Sequence, residues 1–183
     1  VCRETEVGEA GDTHVYDITR FSIIVTRTTA GKLKAFRNAC LHRGRQLVDK
    51  NGNYEKFRCP YHAFTWSLEG DFKWAPCKWD FSHIKDEEFG LTEVQVDTWG
   101  GWVFINMDLD AASLREYLGI LPSHFERWKP ENGYKMIHVE KVIPCNWKVG
   151  WEAFIESYHA VATHPQILPY TEDADSQYDV WGD

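Results

Sequence analysis

The sequence predicts an α+β chain. A small antiparallel β-sandwich over residues 1–107 is followed, over residues 108–183, by the start of an α+β domain in which helices pack against an antiparallel sheet. Three observations predict this. From residue 15 to about 107 the apolar residues fall in short runs rich in β-branched and aromatic side chains, separated by turn signals, with no long amphipathic stretch. After Asp108 the texture changes to helix punctuation, with Ser113-Leu114-Arg115-Glu116 in the S-x-x-E form of a capping box. Further on, Trp147, Trp151, Phe154, Tyr158 and Val161 recur at steps of four, three, four and three, the spacing of one helix face.

Phe21-Ser22-Ile23-Ile24-Val25-Thr26 reads as a strand and Ala30-Gly31-Lys32 as a turn, and residues 33–38 resume a strand that runs into Cys40-Leu41-His42. Leu68-Glu69-Gly70-Asp71 marks a second hairpin, and residues 91–96 and 102–106 make a third around Gly100-Gly101. In the second half, Leu114, Tyr117 and Leu118 sit at helical spacing with Gly119 as the stop. Residues 139–143 read as a strand. Asn146 reads as the N-cap of a helix whose aromatic stripe is expected to be buried and which ends at Pro165.

The formal charge of −8 disfavours a nucleic-acid or anionic-membrane partner. No apolar run approaches the roughly 18 residues of a membrane helix. Residues 1–6 contain no apolar signal core and no initiator Met, so a part of the chain upstream is expected to be missing. Beyond Cys40 and Cys59 there remain Cys2, Cys77 and Cys145, an odd number without a pairing pattern, which reads as reduced thiols in the cytoplasm. Nine tryptophans point to a large aromatic core or a pocket lining.

The chemistry lies in two motifs. Cys40-Leu41-His42 is followed, after the sixteen residues 43–58, by Cys59-Pro60-Tyr61-His62, so that two loops each offer one thiolate and one imidazole. That is the ligand set of a histidine-ligated [2Fe–2S] centre, with two thiolates on one iron and two neutral imidazoles on the other. A structural zinc site uses the same residue types, but zinc fingers group their cysteines as one pair and their histidines as another.

In the second motif Glu152, Glu156 and His159 share the helix face opposite the aromatic stripe, and His164 follows just before Pro165. Five residues are about 500° of helical rotation, so the two imidazoles meet only if the last turn unwinds toward the proline. They would then match two histidines of a 2-His-1-carboxylate iron(II) site. Lys148, Glu152, Glu156 and His159 also read as an ordinary solvated face. Against that stand two like charges one turn apart and the need of an electron-delivering cluster for an acceptor.

Cys40-Leu41-His42-Arg43-Gly44, Cys59-Pro60-Tyr61-His62, residues 99–106, Asn146-Trp147-Lys148, Glu152-Ala153-Phe154, Glu156-Ser157-Tyr158-His159 and His164-Pro165-Gln166 occur in order. Over residues 10–170 the chain resembles the N-terminal part of the large (α) subunit of Rieske non-haem iron aromatic ring-hydroxylating oxygenases. The resemblance implies a Rieske [2Fe–2S] cluster held by Cys40, His42, Cys59 and His62, and catalytic Fe(II) held by His159 and His164. Glu156 is implied as the bridge between the two centres. It further implies electrons from a reductase, with or without a ferredoxin, and hydroxylation of an aromatic substrate by O2. The expected assembly is a homo-oligomer, commonly a trimer, or a hetero-oligomer with a small subunit.

Three positions depart from the family pattern. Its third iron ligand is an aspartate far downstream, whereas this chain stops nineteen residues after His164. Asp173, Asp175, Asp179 and Asp183 are the nearby carboxylates, and a chain cut short is the simpler expectation. Ala153 stands where the family often has Asn, and Glu156 where it often has Asp. A Rieske monooxygenase or O-demethylase is the alternative within the class. A Rieske ferredoxin acting only as an electron carrier is the alternative outside it, and would need no residues beyond about 107.

Overall fold

The computed structural model describes residues 1–170 and residue 180; Asp173, Asp175, Asp179 and Asp183 lie outside the described residues. It divides into two units, Val1–Lys135 and Met136–Asp183.

In the first unit, β1 (Asp12–Ile18), β2 (Phe21–Arg27) and β3 (Leu33–Arg37) form an antiparallel meander. β4 (Gly52–Asn53) pairs with β1, and β8 (Glu93–Trp99) with β3 and with β9 (Trp102–Asn106), giving a six-stranded sheet of order β4-β1-β2-β3-β8-β9. A second, antiparallel sheet holds β5 (Phe57–Arg58), β6 (Thr65–Trp66) and β7 (Phe72–Trp74). The turn between β8 and β9 is Gly100-Gly101, both at positive φ (60° and 76°), which lets Trp99 pair directly with Trp102. β8 starts two residues later than its apolar run suggests, because the Leu91 N–H goes to the Gly70 carbonyl (2.8 Å) and its side chain into the core.

Strand periodicity builds the core. Along β2 and β3, Ile24 and Phe36 face one cluster together with Phe57, Trp66 and Phe72 of the small sheet, while Ile23, Val25 and Ala35 face another with Val7, Val94 and Val103. The central strand is therefore apolar on both faces. Cys40 and Cys59 belong to the first cluster, so the two cysteines are fixed from below by the layer that joins the sheets.

The N-terminus is fastened to the β8–β9 turn. Cys2 accepts from the Val103 N–H (2.9 Å), and the buried guanidinium of Arg3 donates to the carbonyls of Gly100 (2.9 Å) and Gly133 (2.6 Å) while lying over the Trp102 ring. Helix α1 (Leu114–Leu118) has the expected capping box. Ser113 Oγ accepts from the Glu116 N–H, Glu116 accepts from the Ser113 N–H, and Gly119 follows at φ 53°. Helix α2 (Leu121–Phe125) comes directly after it.

The second unit corrects three expectations. The single helix from Asn146 to Pro165 is two, α3 (Trp147–Glu152) and α4 (Ala160–Thr163). Asn146 caps α3 as expected, its Oδ1 accepting from the Lys148 N–H, but the chain leaves the helix after Glu152 and restarts where the Glu156 carboxylate accepts the His159 N–H (3.3 Å). The aromatic stripe is exposed, Phe154 by 88%, because no element among the described residues covers it. Residues 139–143 are not a strand. Val142 is almost wholly exposed, and among the described residues no strand pairs with that backbone. The tryptophans also differ from expectation: Trp66 is buried, whereas Trp74, Trp79, Trp102, Trp128, Trp147 and Trp151 are exposed.

Candidate functional site

The two cysteine–histidine loops share one backbone design. In each, the cysteine carbonyl accepts from the residue four further on (Gly44 to Cys40, 2.7 Å; Ala63 to Cys59, 3.0 Å). In each, the cysteine N–H donates to the residue five further on (Cys40 to Arg45, 2.7 Å; Cys59 to Phe64, 2.8 Å). Closing so tight a loop requires a left-handed residue at the fourth place, and both loops have one, Gly44 at φ 75° and Ala63 at φ 60°. Gly44→Ala is therefore expected to cost about 1 kcal/mol, and Ala63→Gly to gain up to about 1 kcal/mol. Urea unfolding of the two variants checks this; shifts of the same sign would show that the left-handed conformation is not what limits the loops.

The loops bring the four side chains together in pairs. Cys40 and Cys59 are both buried and their thiols lie within hydrogen-bonding reach. His42 is exposed and His62 half-buried, with ring centroids 4.8 Å apart. Phe64 stacks on His42 at 5.0 Å, and Phe64, Trp66, Phe72 and Phe89 form an aromatic layer beneath, locked by the Trp66 indole N–H donating to the Phe89 carbonyl (2.8 Å). Asn38 holds the first loop from behind. Its Oδ1 accepts from the N–H groups of Leu47 and Val48 (3.0 Å each), and its Nδ2 donates to the Val48 carbonyl (2.6 Å) and Ser22 Oγ (3.1 Å).

Two observations fit this place to a metal cluster. The Nδ1 of His62 is buried with no hydrogen-bond partner among the described residues, an arrangement costly for a nitrogen that serves no other purpose. Burial pushes the Cys40 thiol above its ordinary range, so a thiolate there requires a cation to hold it. Among the described residues no three thiol, imidazole or carboxylate groups converge on a single-ion position. The thiols neighbour each other in the core and the imidazoles neighbour each other at the rim, which suits two irons better than one zinc.

In the second unit, His159 precedes α4 and His164 follows it, the latter at φ −124° and ψ 52°. This unwinding brings the two rings to 5.3 Å between centroids, the approach that a straight helix forbids. Glu156 lies against His159, its Oε1 2.5 Å from Nδ1, and this hydrogen bond holds the carboxyl below its usual range. With Nδ1–H donating to Glu156, the lone pair of Nε2 is left free. Glu152 is exposed.

Sequence reasoning missed Asn38, Phe64 and Ala63. Ala63 had a signal, since it stands four residues after Cys59 as Gly44 does after Cys40. Asn38 and Phe64 had none, because their partners are fixed only by the fold.

Residues 1–86 match the family model of the Rieske [2Fe-2S] domain, and residues 123–183 that of the ring hydroxylating alpha subunit catalytic domain. The chain is 31% identical over 164 residues to the glycine betaine monooxygenase oxygenase subunit of Pseudomonas aeruginosa, covering 89% of this chain and 38% of that protein. It is 32% identical over 167 residues to the biphenyl 2,3-dioxygenase subunit alpha of Rhodococcus jostii, covering 87% of this chain and 36% of that one. The crystal structure of the quaternary ammonium Rieske monooxygenase CntA with L-carnitine superposes with a TM-score of 0.87 at 26% identity, over 94% of this chain and 50% of that chain. The chain thus spans well under half the length of these curated relatives.

Proposed function

Since the chain belongs to the Rieske oxygenase α-subunit family, carrying the Rieske domain and the start of the ring-hydroxylating catalytic domain with their [2Fe–2S] and non-haem iron cofactors, we propose that it is the oxygenase component that uses reducing equivalents and O2 to hydroxylate a small organic substrate. Cys40 and Cys59 would hold one iron of the cluster and His42 and His62 the other; His159 and His164 would hold the mononuclear iron. When bound, these groups supply electron storage and O2 activation. The observation that carries the reading is the pair of matched loops that leave His62 Nδ1 buried and unpartnered.

The chain's own residues do the rest. The aromatic layer under Phe64 keeps water from the buried thiols, and the exposed His42 and half-buried His62 place the imidazole side of the site at the surface. Glu156 fixes the tautomer of His159 so that Nε2 keeps the lone pair that would hold the metal, and it is the candidate link to a cluster histidine of a neighbouring subunit. A reductase, with or without a ferredoxin, supplies the electrons, and the working assembly is an oligomer, commonly a trimer, in the cytoplasm. No helix among the described residues is long and apolar enough to cross a membrane.

Anaerobic reconstitution tests the cofactor reading. The 183-residue chain should turn red-brown and, once reduced, give the electron spin resonance of a histidine-ligated [2Fe–2S] centre. A colourless protein holding one zinc would overturn it.

Dioxygenation of an aromatic ring is the primary reading, supported by the similarity to the biphenyl 2,3-dioxygenase subunit alpha. Insertion of a single oxygen atom is the second, favoured because the glycine betaine relative and the CntA structure are both monooxygenases of quaternary ammonium compounds. Labelled O2 separates them: two labelled atoms in the product mark the dioxygenase, one marks the monooxygenase.

A prediction for Glu156 follows from its hydrogen bond. In the complete enzyme Glu156→Gln should leave both metals bound yet slow cluster oxidation by O2 about tenfold or more, while Glu156→Asp retains part of the rate. The measurement is rapid mixing of reduced, substrate-loaded enzyme with O2; an unchanged rate in the Gln variant would assign Glu156 to the surface.

A further inference from the structure

The two ligand loops differ in how their histidines are held. His62 is half-buried, with its Nδ1 enclosed and the Tyr61 ring 4.2 Å from its own. His42 is exposed, and among the described residues no hydrogen bond or ion pair reaches its ring. A metal-bound histidine is ordinarily oriented by the group to which its second nitrogen donates. Without such a group the soft torsion next to the ring leaves the ring plane free to wander. The plane of His42 therefore depends on what packs against it.

Phe64 supplies that packing. Its ring lies parallel to the His42 imidazole, with 5° between the planes and 5.0 Å between centroids, while the His62 ring meets the same imidazole edge-on at 70° and 4.8 Å. Phe64 is itself fixed. It is buried, its ring lies 6.3, 6.1 and 6.1 Å from those of Trp66, Phe72 and Phe89, and the hydrogen bond from Trp66 to the Phe89 carbonyl ties two of these together. Its own carbonyl accepts the Cys59 N–H (2.8 Å). One residue thus closes the second ligand loop with its main chain and braces the histidine of the first with its side chain.

We propose that Phe64 is a positioning residue: the stack sets the ring plane in which His42 offers its nitrogen to the cluster, and ties that plane to the second loop. The proposal rests on the cofactor reading above. Phe72 gives the internal comparison, because it belongs to the same aromatic layer, in ring contact with Phe64, Trp66 and Phe89, and among the described residues has no ring contact with either ligand histidine.

The test uses the reconstituted 183-residue chain, reduced and read by pulsed electron spin resonance, which resolves the nitrogen hyperfine coupling of each bound histidine. Phe64→Leu should shift or broaden the coupling of one histidine and leave the other unchanged. It should also speed loss of the cluster to an iron chelator about twofold to tenfold, the factor that one aromatic pair is worth. Phe64→Tyr keeps a planar ring and should restore both readouts. Phe72→Leu also removes aromatic packing, and should lower the urea midpoint while leaving both couplings as in the parent. Parental couplings in Phe64→Leu, or equal changes in Phe72→Leu, would overturn the positioning role. If Phe64→Leu takes up no cluster, uptake by Phe64→Tyr and Phe72→Leu supports the role, and failure of either overturns it. A parent chain without [2Fe–2S] absorption or without histidine nitrogen coupling would overturn the cofactor reading, and the role of Phe64 with it.

Discussion

Asn38→Leu is expected to destabilise the first unit by about 3 kcal/mol or more and to abolish cluster retention. Asn38 is 3% exposed and uses all its hydrogen-bonding capacity on the Leu47 and Val48 N–H groups, the Val48 carbonyl and Ser22 Oγ. Leucine has similar bulk, so the loss is not a cavity. It is two backbone donors and one acceptor left buried without partners, each costing about 1–3 kcal/mol. The same bonds hold residues 47–48 against the end of β3, and this closes the segment that carries Cys40 and His42. Denaturant unfolding and the iron content of the purified variant measure the two effects. Asn38→Asp separates them from general damage, because it keeps both acceptors and loses the two donated bonds. A Leu variant with parental stability and iron would show that the loop closes without this side chain.

The second large effect is electronic. His62→Cys, if a cluster still forms, should lower its reduction potential by on the order of 100–300 mV, since a thiolate puts negative charge on an iron that imidazole leaves neutral. Histidine-ligated centres lie hundreds of millivolts above plant-type all-cysteine ones. His42→Cys should act in the same direction, and the more exposed position of His42 makes its shift the smaller of the two, because water screens added charge there. Redox titration followed by electron spin resonance reads both values. An unchanged potential in both variants would mean that neither histidine is a ligand.

Much of the first unit was legible because its signals are local. β2 and β9 fall where their β-branched and aromatic runs place them, and Ser113, Glu116 and Gly119 bound α1 as a capping box and stop should. The spacing of Cys40, His42, Cys59 and His62 was equally local, and the structure brings the four together in pairs. What failed depended on partners that composition and periodicity do not reveal. Residues 139–143 have the composition of a strand, but a strand exists only where another backbone pairs with it. The stripe from Trp147 to Val161 has helical period, yet helical period does not reveal that the Glu156 carboxylate captures the His159 N–H and starts a new turn. Arg3 carried no signal, since three of its acceptors lie more than 125 residues away in the chain.

That separation has a consequence for biosynthesis. Residues 2 and 3 cannot find their places until the β8–β9 turn and the segment around Gly133 have been made, 97 to 130 residues later. At about 5–20 residues per second, this leaves them waiting roughly 5–25 s on the ribosome while the meander of β1 to β3 is already able to pair. Residues 1–3 are thus made well before the segment that seats them, and a nascent chain halted before residue 133 should still expose them to an added protease.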